Sequence, residues 1–150
     1  MEAVFKAWKT NRQLYLRFFD YSLEQLNKIP QGFSNNLIWN IGHIIVAQQS
    51  LVYRGSSLPM HISDEIVQLY KPGTVPNGAT TQAEVDELKE LLVSLIAQTE
   101  KDFGAGIFKS YNERTTITGF HLASIEDALE FNNYHEGLHL GYMMSIRKFL

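Results

Sequence analysis

Apolar residues recur at three- and four-residue spacing in four long stretches of the chain, which is the pattern of amphipathic helices. The first stretch runs from about Glu2 to Tyr21, and the third begins at the capping residue Thr81 and ends near Gly104. The third repeat is the clearest, with apolar positions at Val85, Leu88, Leu92 and Leu95. Four helices of about 20 residues, each about 30 Å long, predict an all-α fold.

Polar residues that cap helices mark where the other segments begin. Ser22 is followed three residues later by Gln, a capping box that predicts a short second turn. The second long helix is expected to begin near residues 34–36, where good N-cap residues cluster, and to end before Gly55. The last helix should run from Ser124 to about Lys148, with carboxylates in its first turn and basic residues in its last.

Two connections separate these helices. The first, residues 55–80, is rich in Pro and Gly, with a short helix expected at Ser63 to Tyr70. A link of this length permits a crossover between the second and third helices. The second connection, residues 104–123, contains β-branched residues at 115–118 that suggest a short extended piece or hairpin. We therefore predict one domain, residues 1–150, folded as a four-helix bundle with a long crossover.

The composition narrows the functional classes. Hydrophobic residues make up 45% of the chain and charged residues 19%, with a net charge of −3. The absence of a basic patch argues against nucleic-acid binding, and no stretch reaches the roughly 20 apolar residues of a membrane span. There is no cysteine, which excludes disulfides, a cysteine nucleophile and thiolate metal ligands. We expect a cytoplasmic protein that binds neither nucleic acid nor membrane.

The string His135-Glu136-Gly137-Leu138-His139 carries the most chemical information. Residues four apart lie on one face of a helix, so His135 and His139 are placed to hold one metal ion. The string also matches H-E-x-x-H, in which Glu136 would act as a general base beside the metal. A polar helix face without any metal is the structural alternative.

Two histidines do not complete a metal site, because catalytic zinc usually has three protein ligands. None of the eleven residues after His139 is His, Asp or Glu, so a third ligand must come from upstream. His43 is the best candidate, since it lies mid-helix among aliphatic residues and bundles build metal sites from facing helices. His61 and His121 fall in connections and are expected to be ordinary polar residues. A lone His43 would more often be a hydrogen-bonded core residue.

With these elements in this order, the chain resembles the DinB/YfiT-like superfamily of metal-binding four-helix bundles. Residues 36–44, NLIWNIGHI, are similar to the N-x-x-W-x-x-G-H segment of that family. His135 and His139, with Gly141 two residues further on, are similar to its second motif, and residues 30–32 before the second helix also match. The resemblance covers nearly the whole chain.

The resemblance implies an up-down-down-up bundle that binds one divalent metal ion through three histidines. Zinc or nickel is the expected metal, with manganese or iron as further candidates. It also implies a homodimer, and enzymes that use low-molecular-weight thiols such as bacillithiol, mycothiol or glutathione. The chain departs from the family at Tyr142, where a Gln often follows the glycine, so a role of that Gln does not carry over.

Three functional hypotheses follow. The first is a metal-dependent thiol S-transferase that joins a small-molecule thiol to an electrophilic substrate, with His43, His135 and His139 as ligands and Glu136 or Tyr142 assisting proton transfer. The second is a metallohydrolase with Glu136 as base. The third is a non-enzymatic helical binding protein stapled by its metal.

Three neighbouring residues have both a functional and a structural interpretation. Asn40 and Asn132 lie three residues before a histidine, where each is placed either to orient that ring or simply to satisfy backbone groups. Trp39 is expected in the core rather than as a platform for substrate.

Overall fold

The four long helices of the computed structural model, which describes residues 1–150, form a bundle. Its elements are α1 (Glu2–Leu16), α2 (Leu23–Asn27), α3 (Leu37–Val52), α4 (Asp64–Tyr70), α5 (Gln82–Gly104), β1 (Arg114–Thr115), β2 (His121–Leu122) and α6 (Ile125–Ile146). Helix α1 is shorter than predicted, because the chain passes into a 3₁₀ turn at Arg17–Asp20. The predicted all-α bundle is confirmed.

Side-chain caps begin the helices where the sequence predicts them. The boxes at Ser22, Thr81 and Ser124 are complete, with the side chain of the third helical residue bonded back to the backbone of the cap. Asn36 caps α3 by accepting a hydrogen bond from the backbone N–H of Trp39. Each cap satisfies amide groups that the helix leaves unpaired at its start.

Helix α3 is the centre of the bundle. It is buried on nearly every side and packs against α4, α5 and α6, while α1 packs against α5 and α6. Such a helix is surrounded by other helices rather than lying at the surface. None of the helices has the length and apolar character needed to cross a membrane.

The long connection between α3 and α5 contains α4, which packs against α3. The predicted short helix at Ser63 to Tyr70 is confirmed, with Ser63 as its cap. Gly42 permits this packing, because a Cβ at that position would lie 2.4 Å from the ring of Tyr70. The absence of a side chain at Gly42 therefore allows the end of α4 to lie close to the middle of α3.

The second connection contains a small antiparallel hairpin. Arg114 pairs with Leu122 and Thr115 with His121. The hairpin that the sequence suggested is therefore present, but its strands are two residues long and residues 116–118 belong to the turn. Gly119 closes the turn with a φ of +89°, which favours glycine.

Candidate metal centre

Three histidines from two helices converge in the bundle. His43 comes from the middle of α3, and His135 and His139 come from successive turns of α6. One ring nitrogen from each lies within 4.8 Å of those of the other two. The structure thus brings together the three histidines that the sequence nominates, in a cluster that could hold a metal ion.

Hydrogen bonds fix the ring orientation of two of these histidines. The Nδ1–H of His43 donates to the backbone carbonyl of Tyr70 at 2.8 Å. The Nδ1–H of His139 donates to the side-chain oxygen of Asn40 at 2.8 Å, and the amide nitrogen of Asn40 donates in turn to the carbonyl of Asn36. Because the carbonyl and amide oxygens only accept, each Nε2 keeps its lone pair free for a metal.

His135 completes the fit to a metal. Neither of its ring nitrogens has a hydrogen-bond partner in the protein, and Nδ1 is buried. A buried polar atom without a partner is unfavourable unless a ligand or solvent satisfies it. Three imidazoles with nitrogens this close form a donor set that suits a transition-metal ion.

Burial keeps the histidines neutral, which is the form that binds metals. Desolvation lowers the pKa of His43, although its hydrogen bond to Tyr70 opposes the change. Desolvation, and then the repulsion that a protonated His43 would exert, lower the pKa of His135 to about 4. For His139 the pKa falls to about 3, mainly through desolvation and then through the other two histidines.

Trp39 supports the cluster from the core. Its ring stacks on that of His43, with centroids 4.8 Å apart and planes 10° apart. Its indole N–H donates to the hydroxyl of Thr74 at 3.0 Å, and the side chain is buried. The structure therefore places Trp39 in the core, as the sequence predicted, where it limits rotation of the His43 ring.

A pocket of about 520 Å³ lies beside the three histidines. Its walls include Leu51 of α3, Phe131 and Leu138 of α6, and residues 116–118 of the hairpin turn. This volume is typical of a small-molecule site. The cluster can therefore be reached by a ligand of modest size.

Glu136 lies elsewhere, although it follows His135 directly in sequence. Its carboxylate is fully buried and accepts hydrogen bonds from Arg12, from the indole of Trp8 at 2.8 Å and from Asn132 at 3.0 Å. The Arg12–Glu136 ion pair is 2.6 Å long. Both carboxylate oxygens are thus used between α1 and α6, and Glu136 is not among the residues lining the pocket. This placement argues against the predicted general base.

Three further residues also lie apart from the cluster, namely Tyr142, His61 and His121. Tyr142 packs edge-on against Phe33, with centroids 5.5 Å apart, and does not line the pocket. The Nε2 atom of His61 lies 3.6 Å from a carboxylate oxygen of Asp102, and the exposed His121 pairs with Glu113. Of the two asparagines considered, Asn40 orients a histidine, whereas Asn132 serves Glu136.

The carbonyl of Tyr70 and the hairpin wall were not predicted to belong to the site. A backbone carbonyl has no identifying side chain, so sequence offers no signal for the first. The glycine before His43 is an indirect signal, because it marks a close approach to α3. The hairpin reaches the pocket only through tertiary packing.

The profile of the DinB superfamily matches residues 7–143. This span includes all three histidines and every long helix in whole or in large part, so the chain belongs to the DinB superfamily. No curated protein matches it.

Proposed function

We propose that this protein binds one divalent metal ion through His43, His135 and His139 and catalyses S-transfer from a low-molecular-weight thiol. The observation that carries the proposal is three neutral imidazoles with free ring nitrogens beside a pocket large enough for a small molecule. Zinc or nickel is the preferred metal, and manganese or iron also accept imidazole ligands.

A divalent ion held there would lower the pKa of a bound thiol and so favour the thiolate at neutral pH. The sulfur would then form a bond to an electrophilic carbon of the second substrate, whose leaving group departs with the electrons of the broken bond. The thiol proton passes to solvent. The chain contains no cysteine, so the sulfur must come from the cosubstrate.

The chain itself orients the donors and shapes the pocket. Tyr70 and Asn40 hold two of the rings, and apolar side chains from α3 and α6 form part of the pocket wall. No carboxylate lines the pocket. A metallohydrolase with Glu136 as base lacks support for this reason, whereas a thiol that ionises at a metal needs no carboxylate from the chain.

The test is turnover by protein loaded separately with zinc, nickel or manganese. We would supply bacillithiol, mycothiol or glutathione together with a chromogenic halo-dinitrobenzene electrophile. We expect activity that requires metal and is lost in His43→Gln but retained in His121→Gln, an exposed histidine outside the cluster. Tight metal binding without turnover for any thiol would overturn the transferase and favour a structural metal.

The homodimer implied by family membership is also a proposal. Two large apolar side chains one turn apart on α6 support it, since Tyr134 and Leu138 are each at least 44% exposed. Exposed apolar residues that lie side by side can mark an interface. Light scattering on purified protein would measure the mass, and a monomer at all concentrations would contradict the dimer.

A further inference from the structure

Arg114 is the only Lys, Arg, Asp or Glu side chain that lines the pocket beside the histidines. It lies on β1, in the middle of the second connection, where backbone pairing with Leu122 anchors it. Apart from the three histidines, the side chains that line the pocket therefore carry one formal charge, and that charge is positive.

No acidic side chain of the protein neutralises Arg114. None of the ion pairs within the chain includes it. Glu113, its neighbour in sequence, pairs with His121 at 3.1 Å. The carboxylate of Asp127 accepts hydrogen bonds from the backbone N–H groups of Ala123 and Ser124 as part of the α6 cap. The guanidinium is thus left available to an anionic ligand.

The hairpin turn that follows Arg114 is held by its own hydrogen bonds. The hydroxyls of Thr116 and Thr118 lie 3.1 Å apart, and the Thr116 hydroxyl also accepts from the backbone N–H of Phe120 at 3.0 Å. These hydroxyls are therefore engaged within the turn. Of the polar side chains that the hairpin contributes to the pocket, Arg114 is the only charged one, and its guanidinium makes no hydrogen bond within the protein.

We infer that Arg114 selects a ligand with a carboxylate, joined by a short apolar body to the group that reacts at the histidines. The apolar body would lie along Leu51, Phe131 and Leu138 between these two ends. Arg114 binds a carboxylate through two parallel N–H groups, which fixes the orientation of the ligand as well as its charge. This inference names the substrate class of the proposed transferase and rests on that function.

The test compares mercaptohexanoate with mercaptohexanol on cobalt-loaded protein, using the thiolate-to-metal absorption band to measure affinity. We expect wild type to bind the acid about fivefold more tightly than the alcohol, since the charge pair is partly exposed to solvent. Arg114→Gln should remove this preference. Arg17→Gln is the control, because Arg17 is exposed at the end of α1, which does not line the pocket. It should leave the preference unchanged.

A sulfur-free pair, phenylbutyrate and phenylbutanol, is titrated calorimetrically in parallel. If neither mercapto probe gives the absorption band, the thiol function fails, and this pair alone decides whether Arg114 selects carboxylates. Equal binding of acid and alcohol to wild type would overturn the inference. A preference for the acid that persists in Arg114→Gln would also overturn it, because the carboxylate would then bind the metal instead.

Discussion

Helix α6 contributes to two polar clusters that differ in whether their polar atoms have partners within the protein. His135 and His139 face α3 and a pocket, and the ring nitrogens of His135 have no protein partner. Glu136 faces α1, where Arg12, Trp8 and Asn132 satisfy its carboxylate. One cluster is open to a ligand, and the other is closed.

The difference follows from helix geometry. Successive residues are rotated by about 100°, so Glu136 points away from His135 even though the two are adjacent in sequence. A buried carboxylate must be paired, whereas a buried neutral imidazole tolerates an unpaired nitrogen at lower cost. The open cluster is therefore suited to binding, and the closed one to joining α1 to α6.

The largest expected effect is loss of the metal from the open cluster. His43→Ala should reduce metal content from about one ion per chain to near zero, because two remaining ligands hold a divalent ion poorly. Elemental analysis after dialysis against zinc measures this. His121→Ala is the matched control and should retain the ion. Unchanged metal content in His43→Ala would mean that the three histidines are not the site.

Breaking the closed cluster should destabilise the protein without releasing the metal from the three histidines. Glu136→Gln leaves Arg12 buried without a counter-charge, and we expect a loss of about 3 kcal/mol in the free energy of unfolding. Urea denaturation measures it, with the exposed Glu130→Gln on the same helix as control. Folded Glu136→Gln should still bind one metal ion. Loss of metal with unchanged stability would place Glu136 at the site after all.

Substitutions of two fully buried asparagines, Asn40 and Asn132, should affect the two clusters separately. Asn40→Ala removes the acceptor that orients His139 and should weaken metal binding about 10- to 100-fold. Asn132→Ala removes a partner of Glu136 and should lower stability while leaving metal affinity unchanged. Competition with a chromogenic chelator would measure both affinities. Equal affinities in the two variants would contradict the assignment of Asn40 to the open cluster.

The smallest expected effect is a pH dependence confined to the open cluster. The pKa of His135 is about 4 in the folded protein, against about 6.5 for histidine in an unfolded chain. Between these values the unfolded chain binds more protons, so stability is present above about pH 6.5 and falls as the pH drops towards 4. The same sign applies to His139, whose pKa is about 3.

Metal-free protein is the sample for this measurement, because bound metal would mask the titration. We expect a loss on the order of 1 kcal/mol per pH unit for each titrating histidine. Comparing unfolding at pH 7.5 and 5.5 in wild type and His135→Gln isolates the effect, and the variant should show the shallower dependence. His121→Gln should match wild type, and identical slopes in all three proteins would refute the prediction.

Much of the fold was accessible from sequence because local signals agreed with each other. The capping residues at Ser22, Thr81 and Ser124 and the apolar repeat of α5 each depend on neighbours within one helical turn. The end of α1 was predicted less accurately, since Arg17–Asp20 continue the helical pattern but form a 3₁₀ turn. Element type thus follows from local periodicity more reliably than element boundaries do.

The closed cluster was not predicted, although α1 contains a signal for it. Arg12 occupies the apolar stripe of that helix together with Phe5, Trp8 and Tyr15, and all four are buried. A cation in such a stripe needs a buried anion. Which anion it meets depends on how α1 packs against α6, and no local pattern specifies that.

The sequence by itself determined the helices, their caps and the three histidines able to share a metal, because periodicity and spacing act over short distances. Only the tertiary structure decided how these parts are used. In the folded chain the carbonyl of Tyr70 accepts a hydrogen bond from His43, Glu136 pairs with Arg12, and Arg114 lines the pocket. The physical reason is that each of these contacts joins residues distant in the chain, whose meeting depends on the packing of whole helices.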